Sequence, residues 1–154
     1  MTRWLTDEEQ GAWRAYLMTN QLLAAELDRQ LQRDAGMPHA YYAVLVRLAD
    51  REDRSARLSE LAEVLGYSLS RLSHAIARME EAGWLRRRPC DSDRRTTWAV
   101  LTDEGEAALA AAAPGHVEAV REHLFDHLSS EQVGQLREIF EHTLVQLRAK
   151  SSRS

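Results

Sequence analysis

The stretch LSELAEVLGYSLSRLSHAIARMEEAGWLRRRPCDSDRRTTWAVLT, from Leu58 to Thr102, decides the fold of this chain of 154 residues. Its first half contains two short helical patterns that meet at Gly66, and its second half is a hairpin rich in arginine. Elements in this order can hold one helix in a DNA groove and a loop against the adjacent backbone. Apolar side chains spaced three and four residues apart predict the buried face of the second helix: Leu69, Leu72, Ile76 and Met79.

The opposite face of this second helix carries hydroxyl groups and long hydrogen-bond donors. Ser59 and Ser68 are predicted to cap the first and second of the two helices. A serine hydroxyl can reach a phosphate or a base, an arginine can donate two hydrogen bonds to guanine, and the helix N-terminus attracts phosphate. The alternative is an ordinary amphipathic helix with a solvated polar face. The residues predicted to contact DNA are Ser68, Ser70, Arg71, Ser73, His74 and Arg78.

The hairpin after Gly83 adds a second cationic surface. Residues 84–88 and 97–101 are predicted to be short strands joined by the polar turn PCDSDRR. An arginine in such a turn can enter a narrow minor groove, and Asp93 is close enough in sequence to orient a neighbouring guanidinium. A surface hairpin with solvated charges is the alternative. The predicted DNA contacts of the hairpin are Arg86, Arg88, Asp93, Arg94 and Arg95.

Positive charge is concentrated where these contacts are predicted. Residues 71–95 carry seven basic and four acidic side chains, although the whole chain has a net charge of −4. Because salt screens charges beyond about 8–10 Å, DNA responds to this local excess. The single cysteine, Cys90, excludes an intrachain disulfide and fits a reducing compartment. The chain has neither a signal-peptide pattern nor an apolar run of about 18 residues, so we expect a soluble cytoplasmic protein.

Helices are predicted on the N-terminal side of this region. A capping box of Thr6 and Glu9 predicts the start of a long first helix that ends near Gly36. Pro38 suits the first turn of a second helix. The charged run at residues 50–57, DREDRSAR, is predicted to be a solvated connector.

Two more helices are predicted after the hairpin. One begins at Thr102, is kinked at Pro114–Gly115 because proline removes a backbone donor, and continues to Leu128. The other begins with a capping box of Ser129 and Gln132 and carries an apolar stripe.

The segment LSELAEVLGYSLSRLSHAIARMEEAGWLRRR, followed by DRRTTWAVLTDEG, resembles the MarR family of winged helix-turn-helix regulators. The hairpin is similar to the family pattern Asp-x-Arg, a hydrophobic strand and Leu-Thr, although Ala99 stands where a larger aliphatic residue is usual; the matching residues are Asp93, Arg95, Leu101 and Thr102. The resemblance implies a mainly α fold with a small β-hairpin wing. It divides the chain into an N-terminal dimerisation helix (1–36), a winged helix-turn-helix DNA-binding domain (37–102) and C-terminal dimerisation helices (103–154).

The resemblance also implies a homodimer with interlocked terminal helices, in which each winged domain reads half of a pseudo-palindromic operator. Apolar stripes on the first, fifth and sixth helices exceed what one domain needs to cover itself and favour the same arrangement. Paired recognition helices then address major-groove turns about 34 Å apart. The carry-over places Ser70, Arg71, Ser73, His74 and Arg78 at the major groove and Arg94 and Arg95 at the minor groove.

Members of this family are usually repressors that a small, often phenolic ligand, oxidation or a metal releases from DNA. In the family a cleft forms between the first two helices and the winged domain. Aromatic side chains with one or two polar groups suit an apolar anionic ligand, and packing in the core or the dimer is the alternative. The candidate ligand-binding residues are Trp13, Tyr16, Tyr41, Tyr42 and His116.

Other functions remain as alternatives. Cys90 has five arginines nearby in sequence, and positive surroundings favour a reactive thiolate, so a redox switch is one of them. Comparable redox sensors of the family carry their thiol on the first helix instead. His123 and His127 are four residues apart, but a metal site needs three or four ligands, and no metal or other cofactor is predicted. Phosphate-loop, nucleophile-elbow and zinc-protease motifs are lacking, so no enzyme is predicted. A helical protein-interaction module without DNA binding would leave the arginine hairpin without a purpose.

Overall fold

The structure of this chain, a computed structural model, describes residues 1–90 and 96–151. Within these residues it is mainly helical, with six α-helices and one three-stranded antiparallel sheet, as the winged helix-turn-helix prediction requires. None of the described helices has both the length and the apolar character needed to cross a membrane. In chain order the elements are α1 (Asp7–Ala35), α2 (His39–Ala49), β1 (Ser55–Arg57), α3 (Leu58–Leu65), α4 (Leu69–Glu81), β2 (Leu85–Pro89), β3 (Thr97–Leu101), α5 (Asp103–His123), a 3₁₀ turn (Phe125–His127) and α6 (Ser130–Ser151).

The chain forms two compact units, Met1–Val117 and Glu118–Ser154. The first contains α1 to α4, the sheet and most of α5, so the helix pair and the hairpin of the quoted stretch belong to one unit. The second contains the end of α5, the 3₁₀ turn and α6.

The core of the first unit includes the inner face of α4. Leu72, Ile76 and Met79 are fully buried, as their spacing predicts, but Leu69 is 61% exposed and the prediction is wrong for it. A step of three residues turns an α-helix by about 300°, which places Leu69 to one side of the buried line and in the first turn. The core therefore covers α4 from its second turn onward.

The sheet has the strand order β1–β3–β2, with β3 antiparallel to both neighbours. Residues 50–57 were predicted to be a solvated connector, and this is wrong for Ser55–Arg57, which form the first strand of the sheet. Ser55 and Ala56 are buried and pair with Val100 and Ala99. The charged connector thus ends in a short strand that closes one side of the sheet.

Two predicted capping boxes are confirmed. The Thr6 N–H donates to Glu9 Oε2 at 2.8 Å, and the Glu9 N–H donates to Thr6 Oγ1 at 3.2 Å. Ser129 and Gln132 exchange the same two bonds at 2.8 and 3.2 Å before α6. At its other end α1 stops where Gly36 takes a left-handed conformation, with φ at 60°.

The two helices of the quoted stretch begin differently. Ser68 caps α4 as predicted, because its Oγ accepts from the Arg71 N–H at 3.1 Å. Ser59 is not a cap, and that prediction is wrong. The helix α3 begins at Leu58, so Ser59 lies inside it, and Arg57 at the cap position makes no side-chain capping bond.

The fifth helix continues through Pro114 and ends at His123. The prediction that it extends to Leu128 is wrong, because the backbone at Leu124 leaves the helical region, with φ at −133° and ψ at −65°. The 3₁₀ turn Phe125–His127 follows directly.

The start of α5 is fastened to the base of the hairpin. The Thr102 hydroxyl donates to the Gly83 carbonyl oxygen at 2.6 Å, and the Thr102 N–H donates to the Trp84 carbonyl oxygen at 3.1 Å. One turn later, a Cβ added to Gly105 would lie 1.9 Å from that same Trp84 oxygen. Helix and hairpin therefore approach each other so closely that only glycine fits at position 105.

Candidate nucleic-acid interface

The outward face of α4 presents most of the residues predicted to contact DNA. Ser70, Arg71, His74 and Arg78 are exposed, whereas Ser73 is half-buried and its backbone carbonyl oxygen accepts a hydrogen bond from Arg87 of β2. Ser68 is also exposed, although its oxygen already accepts the capping bond from Arg71. The helix thus offers hydroxyl, imidazole and guanidinium groups to solvent along one side.

The guanidinium of Arg71 is held in place by an aromatic ring. Its Cζ atom lies 4.2 Å from the centroid of the Tyr67 ring, in cation–π contact. Tyr41 lies here as well, on a groove between α2 and α4 of about 320 Å³, lined by Ala40, Tyr41, Tyr67, Arg71, His74, Ala75 and Arg78. Tyr41 therefore borders the outward face of α4.

Arg78 is paired with an acidic neighbour. Its Nη1 atom lies 2.9 Å from Glu81 Oε2, and this hydrogen bond raises the pKa of Arg78. Both side chains are largely exposed, so the pair is weak and can exchange for a phosphate.

We call β2, β3 and the connection between them the wing. The wing carries the second group of residues predicted to contact DNA. Arg86 and Arg88 are exposed on β2. The predictions for Asp93, Arg94 and Arg95 lie outside the residues that the structure describes. The wing therefore presents two of the predicted arginines in the described part of the chain.

An additional arginine, Arg57, joins this surface, although the sequence predicted it to lie in a connector. Register places Arg57, Trp98 and Arg88 side by side on the three strands. The two guanidinium carbons lie 5.4 and 5.7 Å from the Trp98 ring centroid, in cation–π contact. Only the pairing of β1 with β3, which has no local sequence signal, brings Arg57 here.

Arg87 differs from its two neighbours on β2. Its Nη2 atom donates to the Ser73 carbonyl oxygen at 3.0 Å, and its backbone N–H donates to Glu80 Oε1 at 2.9 Å. Alternation along a strand turns every second side chain to the same face. That alternation is the signal which separates Arg87 from Arg86 and Arg88.

The candidate ligand-binding residues fall into different surroundings. Tyr42 and His116 are buried together with ring centroids 4.3 Å apart. The ring of His39, which no sequence pattern singled out, lies 5.4 Å from that of His116. Trp13 and Tyr16 instead stack on each other along α1, with centroids 5.8 Å apart, and both are exposed. The structure thus forms two separate pairs from the candidate set, an exposed one of Trp13 and Tyr16 and a buried one of Tyr42 and His116, and it adds His39 to the buried pair.

Two buried polar atoms in the first unit have no hydrogen-bond partner among the described residues, His116 Nδ1 and Gln30 Oε1. His116 is 9% exposed and Gln30 is 6% exposed. Leaving such atoms unpaired costs about 1–3 kcal/mol each. A molecule that pairs with them would recover this cost.

Burial also changes the acid–base behaviour of the histidine pair. Burial lowers the pKa of His116, and the neighbouring His39 lowers it further. Burial also lowers the pKa of His39, although the negative charge of Asp28 partly opposes this shift. The carboxylate of Asp34, bonded to Gln30 and Arg33, is the other nearby charge on α1. Burial therefore favours the neutral form of both histidines in the folded chain.

We expect acid to destabilise the fold through this pair. In the unfolded chain both histidines bind protons below about pH 6.5, and in the folded chain only at lower pH, so stability is full above about 6.5 and falls as the pH drops toward the folded values. Melting temperatures between pH 7.5 and 5.5 measure this decline, which His116→Gln should reduce. The same substitution at exposed His142 is the control, and equal pH profiles for wild type and His116→Gln would refute the assignment.

The remaining candidate sites are simpler. Cys90 is half-buried at the end of β2, and its N–H donates to the Thr96 carbonyl oxygen at 3.0 Å. Among residues 1–90 and 96–151, no three histidine, cysteine, aspartate or glutamate side chains converge on a point suited to a metal ion.

Comparisons with known proteins show which proteins this chain is similar to. The family model described as MarR family matches residues 35–96. Sco3205, a MarR family transcriptional regulator of Streptomyces coelicolor solved in complex with DNA, is 53% identical over 94% of this chain and 90% of its own, with a TM-score of 0.87. AbsC, another MarR family transcriptional regulator of that organism, is 43% identical over 96% of this chain and 99% of its own, with a TM-score of 0.86.

A curated relative, the HTH-type transcriptional regulator PecS of Dickeya dadantii (strain 3937), is 38% identical over 79 residues, or 51% of this chain. The match spans 47% of PecS, so this chain covers about half of that protein's length. These proteins are named as transcriptional regulators and not as enzymes.

Proposed function

This chain belongs to the MarR family of transcriptional regulators, and from that premise we propose that it binds a pseudo-palindromic operator as a homodimer and acts as a repressor. Each subunit would place α4 in the major groove and the wing against the adjacent minor groove. The observation that carries the proposal is the exposed row of Ser70, Arg71 and His74 on α4, beside the arginines of β2. The DNA complex of the similar Sco3205 supports it.

Exposed apolar side chains support the homodimer. A helix that stays apolar on its solvent side usually marks an interaction surface. The first helix and the last helix both have such a side, formed by Trp13, Leu17, Met18 and Leu22 on α1 and by Ile139, Phe140, Leu144 and Leu147 on α6. A second copy of the same chain offers the same surfaces in return, as two-fold symmetry requires.

A titration with the DNA that flanks its own gene tests the proposal. We expect the dimer to bind one site within that DNA with an affinity in the range of about 10⁻⁸ M, and to bind unrelated DNA about a thousandfold more weakly. Fluorescence anisotropy or a gel shift measures both affinities. A folded dimer that binds neither DNA at low salt would instead favour the protein-interaction module.

Arginines on the wing and on α4 should affect binding in different ways. Arg95→Ala is expected to weaken binding to all sequences alike, because a minor-groove arginine responds mainly to electrostatic potential. Arg71→Ala or His74→Ala should cost about 1–3 kcal/mol and relax base preference at one position of each half-site. Affinities for a set of single-base operator variants separate the two patterns. Uniform losses for all three substitutions would contradict base reading by α4.

Release of the operator by a small aromatic anion is a further part of the proposal. The contact of Tyr42 with His116, together with the unpaired atoms His116 Nδ1 and Gln30 Oε1, supports a site here for a planar ring that carries polar groups. Thermal-shift screening against aromatic acids, followed by operator titration, tests it. A compound that raises the melting temperature should lose this effect in His116→Gln and should weaken operator binding.

Redox sensing through Cys90 is the second candidate mechanism of release. The half-buried thiol lies on the wing, where a change in the sulfur would alter the DNA-binding surface directly. Operator titration before and after peroxide treatment tests it, with Cys90→Ser as the control. Equal affinities in both states would exclude this mechanism.

A further inference from the structure

We propose that Arg87 is a positioning residue, which holds the wing at a fixed offset from α4 and does not contact DNA itself. This inference rests on the proposed function, because the offset matters only if wing and helix engage DNA together. It separates Arg87 from Arg86 and Arg88, its neighbours in sequence.

The direction of the three side chains on β2 is the first argument. Arg86 and Arg88 pair across the strand with Val100 and Trp98, so their side chains lie on the same face of the sheet as that of Trp98. Arg87 pairs with Ala99, which is fully buried, so it lies on the face of the sheet that packs against the helices. The Arg87 guanidinium on that face reaches α4, and the side chain stays 36% exposed.

The contacts of Arg87 are the second argument. Its Nη2 donates to the carbonyl oxygen of Ser73 at 3.0 Å, in the middle of α4, and its Nε lies 3.7 Å from Glu80 Oε2, near the end of α4. The Arg87 backbone N–H donates to Glu80 Oε1 at 2.9 Å. One residue of the wing thus contacts α4 at two points seven residues apart, which restrains both translation and rotation between the two elements.

The charge of Glu80 is the third argument. A carboxylate on α4 repels the phosphates of DNA, and here the carboxylate of Glu80 is paired with the guanidinium of Arg87 on the wing. Glu80 and Arg87 together form what we call the brace. Without it, the wing would have to be ordered during binding, and that ordering subtracts from affinity.

The brace has a measurable signature in the salt dependence of binding. An arginine that contacts phosphate contributes about 0.9 to the slope of log affinity against log salt concentration, whereas a positioning residue contributes nothing to it. We expect Arg87→Ala to weaken operator binding about tenfold with an unchanged slope. Arg88→Ala, the matched control on the same strand, should lower the slope by about two for the dimer.

Glu80→Gln gives a sharper test, because it changes charge in the opposite direction. Loss of a negative charge near DNA should tighten binding if only electrostatics matters, whereas loss of the brace should weaken it. Glu81→Gln is the matched control, since Glu81 pairs with Arg78 on its own helix and not with the wing. We therefore expect weaker binding for Glu80→Gln, and equal or tighter binding for Glu81→Gln.

The pair is partly exposed, so these variants should fold with melting temperatures close to that of the wild type. Should Arg87→Ala fail to fold, Arg87→Lys keeps the charge and loses the two-point geometry, and it should show the same loss of affinity. The double variant with both Arg87→Ala and Glu80→Gln should bind the operator no more weakly than Arg87→Ala alone. A lowered slope for Arg87→Ala, or tighter binding by Glu80→Gln, would overturn the inference. A wild-type protein that binds no DNA would instead overturn the proposed function.

Discussion

Replacing Gly105 with alanine is expected to destabilise the fold by about 3 kcal/mol, in the upper range for overpacked sites, and to lower the melting temperature by about 6–12 °C. The added Cβ would lie 1.9 Å from the Trp84 carbonyl oxygen and 2.8 Å from Leu101 Cδ1. The nearer atom belongs to backbone at the base of the wing, so it cannot turn aside as a side chain would. Helix α5 and the wing would have to separate, which also breaks the bonds that Thr102 makes to Gly83 and Trp84.

Gly11→Ala is the matched control for this prediction. Gly11 is also helical, and a Cβ there meets nothing within 4 Å. Alanine is a better helix former than glycine by about 1 kcal/mol, so this variant should be as stable as the wild type or slightly more stable. Thermal melts of both variants measure the difference. Equal melting temperatures for Gly105→Ala and wild type would show that the joint between α5 and the wing is looser than described.

Replacing Leu144 with glutamate is expected to dissociate the dimer and to weaken operator binding at least about a hundredfold. Leu144 lies on the apolar side of α6 and is exposed in the single chain, so the charge would be buried only when two chains associate. Binding two half-sites through one dimer makes the second contact intramolecular, and loss of that advantage costs about 10²–10⁴ in affinity. The variant should still fold, because no core contact is removed.

His142→Glu introduces the same side chain on the opposite side of α6 and serves as the control. We expect it to remain a dimer and to bind the operator normally. Sedimentation velocity gives the oligomeric state, and anisotropy gives the affinity. A Leu144→Glu variant that stays dimeric, or that binds the operator as a monomer with full affinity, would refute the proposed dimer surface.

The sequence predicted best those features that depend on neighbouring residues. The caps at Thr6, Ser68 and Ser129 follow from chemistry within three residues, and the structure confirms each. The winged fold and the exposed polar face of α4 also follow from local patterns. Ser59 failed as a cap because the apolar pattern of α3 fits two starting points, and the helix begins at Leu58, two residues before the start that a cap at Ser59 requires.

Features that depend on distant parts of the chain were missed. The strand Ser55–Arg57 exists because β3, far along the sequence, supplies its partner. Leu69 fits the spacing of a buried face, but spacing alone cannot show where along α4 the packing against the rest of the core ends. His39 lies beside His116 only because α2 and α5 meet in the first unit. The face of the sheet on which Arg87 lies could have been predicted from strand alternation, whereas its contact with Ser73 could not.

The salt dependence of operator affinity tests most directly the central claim that α4 and the wing form one cationic DNA-binding surface. Anisotropy titrations of the dimer between about 50 and 300 mM salt should give a log–log slope near −5, which corresponds to roughly six neutralised phosphates. The slope should be shallower in Arg88→Ala and unchanged in Arg87→Ala. A folded dimer with a slope near zero, or with no binding at the lowest salt concentration, would contradict the claim.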